Sequence, residues 1–225
     1  MFNRKLKSTV AGIAIAGAAL AIPFAAQAAT GTVYTDLNVR SGPGPQYQVI
    51  GVINPQTPVV VNGCTEGGNW CQVSYGGQQG WAYSRYIALQ EGGGQVVLSE
   101  QTSQVPVVTY DNPPRAGGAV SGAVGGAVVG AIIGGPVGAA IGGAAGAAAG
   151  TAGSVIVNPP QRVVTYVEQQ QVQPVYLDGE VVVGARVPQT VQLYQVPEYE
   201  YRYAYVNGQA VLINPNDYEI VSVIR

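Results

Sequence analysis

The sequence predicts a mainly β protein: a small barrel and a small C-terminal β-sheet unit, joined by a Gly/Ala-rich helical hairpin. Three observations predict it. Short β-type segments punctuated by Gly, Pro and Asn fill residues 30–89 and return after Asn158. Between them glycine recurs at every fourth position, at Gly118, Gly122, Gly126, Gly130, Gly134, Gly138, Gly142, Gly146 and Gly150, with Ala, Val and Ile in most of the spaces. No charged residue lies between Arg115 and Arg162.

Composition excludes several function classes. Charged residues are 10% of the chain, against about 25% in typical soluble domains. The only lysines are Lys5 and Lys7, and the seven arginines after residue 28 stand singly. A nucleic-acid partner needs a clustered cationic surface, so none is expected. The chain has no His, hence no imidazole base for work near neutral pH. The glycine repeat lacks the Lys and strand context of a phosphate-binding loop. No catalytic residue, metal site or cofactor is assigned, and the chain reads as non-enzymatic.

Residues 1–28 read as a secretory signal. Arg4, Lys5 and Lys7 precede the apolar run Val10 to Phe24, and Ala26-Gln27-Ala28 is a small-residue cleavage site. The alternative, an uncleaved anchor, is disfavoured because the run is short for a span of about 20 residues. Export into an oxidising compartment predicts a disulfide between Cys64 and Cys71, which flank the turn-rich loop Thr65 to Trp70. Two free thiols or half a metal site is the weaker reading, because no His or further Cys completes a zinc shell.

Residues 30–89 hold segments at Leu37 to Arg40, Tyr47 to Ile53, Thr57 to Val61, Cys71 to Tyr75 and Gly80 to Tyr83. Short strands at this spacing predict a small barrel. Leu37-Asn38-Val39-Arg40-Ser41-Gly42-Pro43, Val49-Ile50-Gly51, Trp70-Cys71-Gln72-Val73 and Gly80-Trp81-Ala82-Tyr83-Ser84-Arg85-Tyr86-Ile87 resemble the bacterial SH3 domain. The resemblance implies a half-open SH3-like barrel and a binding role towards peptidoglycan or peptides. Tyr47, Trp70, Tyr83 and Tyr86 are then the ligand-binding candidates, since flat aromatic faces with a polar edge suit sugars and peptides. Tyr83 and Tyr86 are expected at the surface, Trp81 and Val39 in the core, and Arg40 as a brace for the turn at Ser41-Gly42.

Residues 90–115 read as an extended linker, with a short strand available at Val105–Tyr110. Residues 116–157 resemble the glycine-zipper hairpins of bacterial envelope proteins. Gly134-Gly135-Pro136 divides the repeat into two helices, each with a small-residue stripe that permits close packing. That implies membrane association or homo-oligomerisation. The strongly apolar side chains of the second half, Val137 and Ile141, supply only about −1 kcal/mol towards insertion, so the spacing argues for helix contact more firmly than for a span. A structureless Gly/Ala linker is the alternative.

Residues 158–182 read as a linker with a β-rich Val163–Val167 and a hairpin turn at Asp178-Gly179; residues 183–225 read as a small β domain with strands either side of Asn207-Gly208. From about 180 to 225, Val183 to Pro188, Val191 to Tyr194 and Tyr203 to Ile224 resemble a domain of unknown function of exported alphaproteobacterial proteins. Glu198 and Glu200 share a face at period two, but a solvated face opposite Tyr199, Tyr201 and Tyr203 is favoured over acid–base work. The expected function is a non-catalytic exported cell-envelope protein that binds cell wall or peptide. The alternatives are a self-assembling structural protein without a specific ligand, or an accessory module that targets a partner enzyme.

Overall fold

The computed structural model describes residues 28–91, 94–110, 132 and 157–225. The expected signal, apart from Ala28, lies outside these residues, and so does the glycine repeat. Strands β1 (Ala29–Val33), β2 (Leu37–Arg40), β3 (Val49–Ile53), β4 (Pro58–Cys64), β5 (Trp70–Tyr75), β6 (Gln78–Tyr83), β7 (Ile87–Glu91) and β8 (Gly94–Val97) form one antiparallel sheet, in the order β3-β2-β6-β5-β4-β1-β7-β8. The sheet surrounds a core of Val33, Leu37, Val39, Ile53, Val61, Val73, Ala82 and Ile87. The β5–β6 hairpin turns at Gly76-Gly77, with φ of +52° and +80°. A two-residue hairpin of this kind needs positive φ at both central positions, which glycine supplies without steric cost.

The expected linker is partly folded into this body. Gly94–Val97 continues the sheet as β8 and pairs with β7, and Val97 and the following Leu98, which opens a 3-10 turn, are buried. Val107 bridges Cys64 in parallel, and Val105 is buried. Val97, Leu98 and Val105 supply the apolar burial that keeps the segment on the barrel, each buried side chain contributing roughly 1.5–3 kcal/mol, while Val107 is exposed and holds on through its backbone bridge.

The C-terminal module has helix α1 (Gln161–Glu168) and strands β9 (Tyr194–Gln195), β10 (Arg202–Val206), β11 (Gln209–Ile213) and β12 (Ile220–Ile224), ordered β12-β11-β10-β9. The β10–β11 hairpin turns at Asn207-Gly208 as its sequence predicts, with φ of +52° and +77°. Helix α1 corrects the β-rich reading of Val163–Val167. Val163 and Val167, one helical turn apart, are both buried against Tyr203, Leu212 and Val221, and Pro160 starts the helix where its missing N–H costs nothing. A four-residue apolar spacing with a packing partner overrode the local β preference of valine and tyrosine.

Asp178-Gly179 does not close a hairpin. Residues 175–187 run instead as an irregular strap with a turn at Val182–Ala185: the Val175 N–H donates to Tyr205 O and the Asn207 N–H to Val175 O, while in the turn the Gly184 N–H donates to Ile220 O. Gly179 has φ +111°, and a side chain there would meet Ile132. The N–H of Ile132 donates to Asp178 O at 2.8 Å, and its side chain is buried in the core.

The sheet of the C-terminal module is covered on both faces. Tyr203, Ala210 and Leu212 pack beneath α1, whereas Ala204, Val206, Val211 and Ile213 join the cluster that holds the barrel core. Strict alternation along β10 and β11 delivers this division. The protein is thus layered as helix, sheet and barrel, with apolar packing continuous between the last two.

Candidate binding face of the barrel

Strand β2 is buried at all four positions. Leu37 and Val39 point into the barrel core. By alternation Asn38 and Arg40 point to the outer face. Register then places Arg40 opposite Trp81, Trp81 opposite Gln72, and Tyr83 opposite Trp70. Asn38, Arg40, Trp81, Tyr83 and Trp70 therefore share one outer face across β2, β6 and β5. Ala82, Cys71 and Val73, on the alternate positions, lie in the core.

Two aromatic groups form on and beside this face. Trp70 meets Tyr83 edge-on at 5.4 Å, and Tyr83 lies 6.0 Å from Tyr86. Tyr110 meets both Tyr47 and Trp81 edge-on, each at 5.5 Å. Its hydroxyl donates to Ser41 O at 3.3 Å. The four candidates are thus not one cluster: Trp70, Tyr83 and Tyr86 are together, and Tyr47 belongs to the other group. Tyr47 and Tyr83 are half-buried. Trp70 is 5% exposed and Tyr86 only 1%. The expectation of Tyr86 at the surface is corrected, because the 3-10 turn at Ser84–Tyr86 directs its ring into the barrel core. Trp81 is buried as expected, but on the outer face rather than among the core residues.

Burial pushes the Tyr83 phenol above its ordinary 10.0, and the nearby charge of Asp178 adds to the rise, opposed by Arg85. The Asp178 contribution reflects how near the C-terminal strap runs to this face. Burial also raises Tyr47, with Tyr110 adding to it.

Arg40 does more than brace a turn. Its Nη1 donates to Pro45 O at 2.9 Å and to Tyr47 O at 2.7 Å, which is the expected brace. Its Nε and Nη2 also grip both carboxylate oxygens of Glu180, at 2.5 and 2.6 Å. Asn38 donates to Glu180 Oε1 at 3.1 Å and to Gln209 Oε1 at 2.7 Å. Asn207, which reads as a mere turn residue, is 1% exposed. Its side chain accepts from the Leu177 N–H and donates to Gly179 O, fixing the strap that carries Glu180. In the sequence Asn38 and Arg40 read as the ordinary outward-facing polar positions of an alternating strand, and their partner Glu180 lies 140 or more residues away, so no local signal joins them.

The Cys64–Cys71 disulfide forms across β4 and β5, with Cα atoms 3.9 Å apart. It closes the loop that ends at Trp70, beneath the outer face. In the C-terminal module, Glu198, Tyr199, Glu200, Arg202 and Tyr166 line an open cleft of about 650 Å³. Glu198 and Glu200 are exposed, and Glu198 pairs loosely with Arg162 at 3.5 Å. Such an exposed pair contributes little, in keeping with a solvated face. Among the described residues no group of three or more acidic or cysteine side chains is placed to hold a metal ion, and no helix is long and apolar enough to cross a membrane.

Residues 35–88 match the family model of the bacterial SH3 domain. Residues 166–225 match that of a domain of unknown function (DUF1236), which begins well before the resemblance read from about residue 180. No curated protein matches the chain. The chain therefore carries an SH3-like binding module and a separate small β-sheet module.

Proposed function

We propose that this is a non-catalytic, exported cell-envelope protein whose SH3-type module binds peptidoglycan or peptide through Tyr47, Tyr83 and the aromatics beside them. The observation that carries the reading is the match of residues 35–88 to the bacterial SH3 domain, together with two half-exposed tyrosines, Tyr83 set against the buried Trp70 and Tyr47 against Tyr110, which itself meets the buried Trp81. Rigid aromatic surface of this kind gives contact area at low entropic cost. The disulfide fits export. The glycine repeat supplies self-association or membrane association through close helix contact.

Sedimentation with purified cell-wall sacculi tests this. The intact chain and a variant lacking residues 118–150 are expected to co-sediment, and Tyr47→Ala with Tyr83→Ala to lose most of that binding. Failure of the intact chain to sediment would leave peptide as the ligand class; failure against a peptide library as well would overturn recognition by the barrel. One observation favours a second reading, in which the barrel is a structural spacer: Asn38 and Arg40 of its outer face are spent on the C-terminal module. In that case the double Tyr variant assembles and behaves like the parent.

A further inference from the structure

The Asn38–Arg40 stretch of the barrel is not used by the binding reading above, and its geometry has a purpose of its own. Four donors converge on one carboxylate: Arg40 Nε and Nη2, Asn38 Nδ2 and the Val181 N–H, the last at 2.9 Å from Glu180 Oε1. Three of the four belong to the barrel. Arg40 is held in place by the barrel itself, through Pro45 O and Tyr47 O, so its fork is oriented independently of Glu180. Arg40 is 1% exposed, and Asn38 and Glu180 are 0%.

A carboxylate taken wholly out of water must be matched by donors of this quality. An apolar pair of the same volume would serve stability as well. The planar fork selects for the geometry of a carboxylate, in a way a point charge does not. We infer that Asn38 and Arg40 form a carboxylate-binding site on the outer face of the barrel, whose resident ligand is Glu180 and which takes a small free carboxylate when that side chain is removed. The site is how this barrel recognises its own C-terminal module, and it is independent of any cell-wall ligand.

The test is chemical rescue in the full-length mature chain. Thermal melts of Glu180→Ala are recorded in sodium chloride, in sodium acetate of equal ionic strength, and in chloride with added acetamide. Removing one partner of a buried pair is expected to lower Tm by about 10 °C. Acetate is expected to return at least about 2 °C more to Glu180→Ala than it adds to the parent; acetamide, of like shape but uncharged, is expected not to. If Glu180→Ala does not fold in chloride, folding recovered in acetate counts as the same result, and none recovered overturns the inference. An unchanged Tm in Glu180→Ala, an equal acetate effect on both proteins, or equal rescue by acetamide also overturns it.

Discussion

Asn207 carries three jobs at one position. It supplies positive φ for the β10–β11 turn, its side chain pins the strap at Leu177 and Gly179, and its carbonyl accepts from Arg40 at 3.4 Å. Glycine suits the turn equally well, so Asn207→Gly isolates the side-chain bonds. It is expected to lower stability by about 1–3 kcal/mol, the cost of leaving buried backbone groups unpaired, as read from denaturant midpoints at unchanged m-value. The turn itself was legible, because Asn-Gly is a local signal; the two long-range bonds were not. The tyrosines make a second prediction. Burial raises the phenols of Tyr47, Tyr83 and Tyr203 above 10.0, so the fold favours their neutral form. The unfolded chain ionises first, and stability present below pH 10 falls as pH rises from there through the folded values. Melting temperature plotted against pH should drop above about pH 10, and Tyr83→Phe should make that drop shallower.

Among the elements, the β4–β5 hairpin owes most to a single covalent link. The disulfide joins residues seven apart, and closing so short a loop is worth about 2.5 kcal/mol on the chain-entropy estimate. Cys64→Ser with Cys71→Ser should lose roughly that much, measured by urea unfolding, while Trp70 fluorescence should report a loosened loop. Cysteine count and turn chemistry made this pair readable. Helix α1 shows the opposite case. Val163 and Val167 carried a helical spacing in a stretch rich in β-formers, and only the apolar face of β10 and β11 decided between the two periods. The barrel strands were legible for the same reason that the hairpins were, since their turns are marked by Gly, Pro and Asn. The β7–β8 hairpin was missed because Gly92-Gly93-Gly94 reads equally well as a linker or a turn.

For the whole molecule, continuous apolar packing and the Arg40–Glu180 pair make barrel and C-terminal module interdependent. Calorimetry of residues 29–225 should give one transition with equal calorimetric and van't Hoff enthalpies; two resolved transitions would contradict a shared core. Nothing in local sequence announces such dependence, because strand β2 reads as a half-buried barrel strand until a second module covers its other face. One residue of the glycine run bears on its fate. Ile132 sits two residues before Gly134-Gly135-Pro136 in the sequence, yet it is hydrogen-bonded to Asp178 and buried beside Gly179. The tip of a two-span hairpin must lie across the bilayer from both of its flanks. Docking of Ile132 and transmembrane insertion of the run are therefore mutually exclusive states, and any membrane that takes up the repeat must first pull this isoleucine out of the core.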